Sequence, residues 1–209
     1  KKKIKKRIKK TIKKHKRILF NGNGYDGKWV KEAEKRGLSN YPTTPEALSH
    51  LLDRKNIELF EKHKVFSETE IRARYEINLE NYIKTVNIEA LTMSIMARRD
   101  IFPAVSAYAK VLSDNAAAKE KYGFEAAERK LLERLCTLSE SFFKNIEKLD
   151  SAVADAEKIT DTASLADYYR TAVIGAMTAL RRDADELEYI TTAEYWPYPT
   201  YGELLFSIK

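Results

Sequence analysis

The sequence predicts an all-α protein: an elongated antiparallel helical hairpin or three-helix bundle, with short N-terminal helices before it and an extended aromatic and proline-rich strap after it. Two observations carry this expectation. Seven Gly and five Pro are few for 209 residues, which argues against a turn-rich all-β fold. Three long segments also place apolar residues every three or four positions over several heptads, the pattern of helices lying nearly antiparallel along a shared seam. The short connections near 115–124 and 158–163 favour up-down neighbours.

The first element is a basic helix over residues 1–20. Twelve Lys and Arg side chains fall in the first 17 positions, Lys1 and Arg17 among them, with no acidic residue. Ile4, Ile8 and Ile12, followed by Ile18 and Leu19, set one narrow apolar stripe on a surface otherwise made of lysine. Asn21-Gly22-Asn23-Gly24-Tyr25-Asp26-Gly27 reads as a turn, with Gly and Asn in left-handed conformations. A short helix follows from Lys28 to Arg36 and ends at Gly37. Thr43-Thr44-Pro45-Glu46 offers an N-cap and a first-turn proline, and residues 44–66 read as two short helices.

Ser67 and Glu70 have the spacing of a capping box. From there Ile71, Tyr75, Leu79, Tyr82, Val86, Ala90, Met93 and Ala97 step along one helix of about 45 residues, kinked or broken near Phe102-Pro103. A second pattern runs Leu131, Leu135, Leu138, Phe142, Ile146, Leu149, Val153, Ala156. The third runs Leu165, Tyr169, Ala172, Ala176, Leu180, Ala184, Leu187, after a cap at Asp161 or Thr162. Tyr195-Trp196-Pro197-Tyr198-Pro199-Thr200-Tyr201-Gly202 is non-helical through its prolines and is expected to dock as a strap.

Composition narrows the function. The formal net charge is +7, yet positions 18–209 carry 26 basic against 31 acidic residues, so the body is mildly acidic. A basic surface spread over the fold to track a phosphate backbone is excluded. The single cysteine, Cys136, leaves no internal disulfide framework or Cys-rich zinc site and fits a reducing, cytoplasmic compartment. No apolar run approaches the length of a membrane span, and the N-terminus lacks the apolar region of a secretory signal.

The candidate chemistry is sparse. The glycine loop has neither the lysine of a P-loop nor the G-x-G-x-x-G spacing. His15, His50 and His63 are dispersed, and with Glu58 and Glu61 they make no ligand spacing. Cys136, between Leu135 and Leu138, reads as a small core residue. Met93 and Met96 read as core filler, and the run Arg181-Arg182-Asp183-Ala184-Asp185-Glu186 as a solvated helix face. No catalytic, cofactor-binding or metal-ligating residue is assigned. The basic helix admits three readings: nucleic-acid contact without sequence preference, an anionic membrane surface, or packing on further protein through its Ile stripe. A stand-alone helical adaptor binding an acidic partner through residues 1–17 is the alternative function these readings support.

Several blocks resemble the C-terminal third of type III glutamine synthetases, the large bacterial class. They are residues 13–25, ending Phe20-Asn21-Gly22-Asn23-Gly24-Tyr25; Phe66-Ser67-Glu68-Thr69-Glu70-Ile71-Arg72; residues 82–93, ending Asn87-Ile88-Glu89-Ala90-Leu91-Thr92-Met93; and the Tyr195–Gly202 segment. Residues 44–66 also resemble the end of shorter glutamine synthetases. The resemblance covers residues 11–209 and is not carried to the Lys-rich positions 1–10. It implies a parent that ligates ammonia to glutamate through γ-glutamyl phosphate, using ATP and Mg or Mn. The family's metal-binding carboxylates and phosphate-binding arginines lie upstream of the blocks matched, so the chain alone is expected to be inactive. Residues 21–66 would then close that upstream catalytic domain, and residues 67–209 would form the long-helix bundle. The partners implied are the catalytic domain and identical subunits, dodecamers in this family, without specific nucleic acid or membrane.

Overall fold

A computed structural model of the chain describes residues 2–16 and 19–206. Lys1, Arg17 and Ile18 of the basic segment lie outside the described residues. All regular structure among the described residues is helical. The chain divides into two compact units, residues 1–47 and 48–209.

In the first unit, α1 (Lys2–Lys14) buries no residue, and Ile4, Ile8 and Ile12 stand exposed among the lysines. α2 (Gly27–Lys35) starts at Asp26, whose side chain accepts the Lys28 N–H, and closes through Gly37 in the left-handed region. The Phe20 ring, ahead of α2, meets that of Trp29 in its first turn at 4.5 Å. The Arg36 guanidinium lies over both and donates to the Leu19 carbonyl at 2.6 Å.

The 21–27 loop corrects one expectation. None of its Gly or Asn residues has a positive φ. Asn23 instead accepts the Tyr25 N–H at 3.0 Å and holds the turn through its side chain. Gly22 leaves room for the Phe20 ring: a Cβ there would sit 2.5 Å from the ring's tip, and the ring would have to shift.

α3 (Thr44–Ser49) opens on the Thr43 carbonyl, with Pro45 in its first turn. In the second unit, a short 3₁₀ turn at His50–Leu52 leads into α4 (Arg54–Lys62). Ser67 and Glu70 then make the reciprocal bonds of a full capping box, and α5 (Glu68–Met96) begins. It passes without a break through a π-turn at Ala97–Ile101 into α6 (Phe102–Lys121). Pro103 explains the π-turn. It has no N–H, and its ring crowds the carbonyl four residues back. The wider turn, in which the Phe102 N–H reaches the Ala97 carbonyl, relieves both.

The helix continues six residues further than its expected end near 115. The run Ala116-Ala117-Ala118 is strongly helix-forming, and the stop is set by Gly123 at φ +78. There the Gly123 and Phe124 N–H groups reach back to the Glu120 and Lys119 carbonyls. Ion pairs Lys119–Glu128 and Arg129–Glu120 clamp the turn.

α7 (Glu128–Ala156) packs against α6 on one side and α9 on the other. α8 (Thr162–Tyr168), capped by Asp161, runs through a second π-turn at Tyr169–Val173 into α9 (Ile174–Ile190). In each π-turn the first and last residues are both buried: Ala97 with Ile101, and Tyr169 with Val173. Apolar spacing gives no sign of the second π-turn, which makes Val173 rather than Ala172 the buried residue. Phe142, Leu79, Leu135, Ile146 and Leu149 are the largest fully buried side chains of this core.

After α9 the chain is non-helical to Thr200, and Tyr195, Trp196 and Tyr198 pack on the core. Helicity resumes at α10 (Tyr201–Phe206), so the non-helical stretch is shorter than expected. Thr200, free of the two prolines, caps that turn with Glu203.

Candidate functional site

The site is a groove of about 530 Å³ in the second unit, walled by α5 and α9. α5 supplies Ile88, Thr92 and Met96 to one wall; α9 supplies Met177, Ala184 and Glu188 to the other. Phe142 of α7 and Leu180 lie at its base, and Trp196 and Tyr198 line it from the C-terminal segment. Its polar groups are few and peripheral: Glu89, Glu188 and the paired Arg181 and Asp185, 2.5 Å apart. An apolar trough with a charged margin suits the burial of a helix or side-chain cluster better than bond chemistry.

Polar contacts beside the groove fix its walls. The Tyr198 hydroxyl donates to Asp100 at 3.0 Å, pinning the C-terminal segment beside the first π-turn. Ser94 donates to Asp150 of α7 at 2.5 Å, and Arg98 pairs with the same carboxyl group while lying over the Phe143 ring. The Tyr169 hydroxyl donates to Asn87 of α5 at 3.0 Å.

Burial first, then the bond to Asp100 and its charge, push the Tyr198 phenol up to about 12. The folded state therefore favours the protonated phenol. Its contribution is complete below the usual tyrosine pKa of about 10 and is lost as pH rises from about 10 to about 12. Tyr198→Phe is expected to remove about 1 kcal/mol at neutral pH and to abolish that part of the alkaline destabilisation. Denaturation midpoints of the two proteins across this pH range, with ultraviolet titration of tyrosinate, check both.

The residues singled out from sequence do not converge. His15 is exposed just after α1 and His63 exposed after α4, while His50 contacts Asp53 at 3.0 Å. Glu58 accepts from Arg54, and Glu61 accepts the Glu68 N–H. Among the described residues no three His, Cys, Asp or Glu side chains are grouped to hold a metal.

Three expectations are corrected. Cys136 is exposed, not core, because the buried phase of α7 passes through Leu135, Phe142, Ile146 and Leu149 and a neighbour one position on points away. Met96 is exposed on the groove wall, whereas Met93 is half-buried on the core. The run 181–186 is not uniformly solvated. Asp183 is only 3% exposed and accepts from Ser141 at 2.6 Å and Asn145 at 2.7 Å. Its place three residues after Leu180 and four before Leu187 is the signal that marks it as inward-facing.

Residues 3–121 match the family model described as the glutamine synthetase C-terminal domain. The chain belongs to that family. The glutamine synthetase C-terminal domain match begins eight residues earlier than the resemblance drawn from sequence, so residues 3–10 are included; α1 runs through that point as one helix. The chain is 41% identical over 198 residues to a glutamine synthetase of Butyrivibrio fibrisolvens, covering 93% of this chain and 28% of that protein. It is 34% identical over 200 residues to the type-3 glutamine synthetase of Dictyostelium discoideum, covering 92% and 27%. A glutamine synthetase of Bacteroides fragilis (strain YCH46) is 32% identical over 197 residues, covering 91% and 27%. The chain thus spans about a quarter of the length of the curated relatives it matches. No helix among the described residues is long and apolar enough to cross a membrane.

Proposed function

We propose that this chain is the helical C-terminal portion of a type III glutamine synthetase. It buttresses the upstream catalytic domain and builds contacts between subunits. The family match over residues 3–121 carries this reading. The structural role is supported by the open apolar groove on α5 and α9, which leaves Met96 exposed and Met177 half-buried where a neighbouring surface would cover them. The parent ligates ammonia to glutamate through γ-glutamyl phosphate. Its ATP and its Mg or Mn ions are held by the catalytic domain, in the cytoplasm, and neither specific nucleic acid nor membrane takes part.

The test is reconstitution. Residues 1–209 alone are expected to form no glutamine above background with ATP, ammonia, glutamate and Mg or Mn. Mixed with the parent's upstream region as a separate polypeptide, they are expected to raise its turnover. Turnover by residues 1–209 alone, or an upstream region as active without them as with them, overturns the reading.

A further inference from the structure

We infer that α10 is a lid for this groove: the C-terminal segment turns at Pro199-Thr200 and lays Tyr201, Gly202, Leu205 and Phe206 between α5 and α9. The inference goes beyond the subunit-contact reading above, since a neighbouring surface must displace α10 before it covers the groove.

The groove suits an adaptable guest. Met93, Met96 and Met177, the chain's three methionines, all line it. Methionine is unbranched and polarisable, so a surface rich in it reshapes around varied apolar partners. The C-terminal segment already occupies one end. Trp196 and Tyr198 are part of the lining, and the Tyr198 hydroxyl is fixed on Asp100. From Ile101 back to Ile88 the wall runs about 20 Å at about 1.5 Å per residue. Two extended residues and the six of α10 reach about 16 Å beyond Tyr198, enough to cover most of it.

α10 has the matching surface. Tyr201, Leu205 and Phe206 are 82%, 64% and 83% exposed. At about 100° per residue they lie within an arc of about 140°, which two walls can embrace. Gly202 falls inside that arc and Glu203 outside it. Glycine weakens a short helix, and in the open position nothing crowds this one: the nearest atom a Cβ would meet is Thr200 Oγ1, at 3.9 Å. Its missing side chain is used when the helix backbone lies close against a wall. Glu203 keeps its capping bonds with Thr200 in either position, so α10 moves as a unit. Six residues are too few for a stable helix in water without tertiary packing, and the groove is an apolar surface within reach.

Methionine methyl labelling tests this, because each of the three signals reports on the groove. In the 209-residue chain the Tyr201 and Phe206 rings are expected to give NOEs to the Met96 and Met177 methyls. Deletion of residues 201–209 is expected to abolish them and to move both signals. That deletion, and Leu205→Asp combined with Phe206→Asp, are each expected to raise the affinity of the groove for Nile red about tenfold without loss of helicity in α5–α9. Gly202→Leu, a better helix former, is expected to weaken the ring–methyl NOEs. An intramolecular contact is independent of concentration, so methyl shifts that move on dilution would place α10 in a neighbouring chain and overturn the proposal. Absence of the NOEs, their survival undiminished in Gly202→Leu, or a dye affinity indifferent to both changes overturns it as well. Glutamine formation plays no part in the readout, so failure of the reconstitution assay and failure of lid closure are separate results.

Discussion

Asp183→Ala is expected to destabilise the helical bundle by about 3 kcal/mol, more than any surface ion pair in the chain contributes. The side chain sits on the buried face of α9 and accepts both from the Ser141 hydroxyl and from the Asn145 amide of α7. Asn145 is itself buried. Truncation therefore removes two hydrogen bonds and leaves the buried Asn145 amide of α7 without its acceptor, while the half-buried Ser141 hydroxyl can turn to water. The second effect dominates, because an unsatisfied buried donor carries its whole desolvation penalty. Arg182, 3.6 Å away and mostly exposed, contributes little.

Asp183→Asn keeps an acceptor oxygen and is expected to cost only about 1 kcal/mol. The triple variant Ser141→Ala, Asn145→Leu, Asp183→Leu removes donors and acceptor together. It is expected to recover most of the loss, since apolar replacement of a whole buried polar group is often neutral. Urea midpoints with an unchanged denaturant slope would check the series. At about 2–4 °C per kcal/mol for a chain of this size, Asp183→Ala should also melt roughly 6–12 °C lower. A loss below about 1 kcal/mol for the alanine variant would show that the node is solvated in solution.

The same residue marks the limit of reading this fold from sequence. The apolar phase of α7 was legible because its steps from Leu131 to Ala156 contain no competing pattern, and the Ser67–Glu70 box fixed the start of α5. Asp183 was obscured by its charged neighbours Arg181, Arg182, Asp185 and Glu186. Only the helical phase set by Leu180 and Leu187 separates it from them. Asn145, between Phe142 and Ile146 on the buried phase, carried the matching signal.

Other features had no local signal. Composition marks 21–27 as a turn, but the Phe20 ring that crowds Gly22 is held there by Trp29 and Arg36 further along the chain. The groove was hidden for a different reason. Apolar stepping along α5 identifies its inward face, and Ile88, Leu91 and Ile95 add a second strip that periodicity alone assigns to neither side. Only the positions of α7 and α9 show which strip remains uncovered. Net charge was similarly informative as a distribution: the lysines of α1 are all exposed, and none belongs to the groove.

Phe142→Ala is expected to have the largest effect of any single apolar truncation here. Its side chain is fully buried, touches the common core of α5, α7 and α9, and forms part of the groove's base. Two contributions add when such a ring is removed. Lost burial of the ring alone is worth about 1.5–3 kcal/mol. The space left behind adds more in proportion to its volume, giving about 3–5 kcal/mol for Phe→Ala in a closed core. The groove decides between these values. Its walls can settle into the vacated volume only if α5 and α9 approach one another. Ser94–Asp150 ties α5 to α7, and Asn145–Asp183 ties α9 to the same helix. Both walls are therefore held apart on α7, and the cavity contribution should persist. The upper range is expected, about 4 kcal/mol, with Phe142→Leu costing about 1. Releasing the α9 tie in the Asp183→Ala background should let the cavity close, so the double variant should cost less than the two single losses added together. Additive losses would show that the helices do not relax.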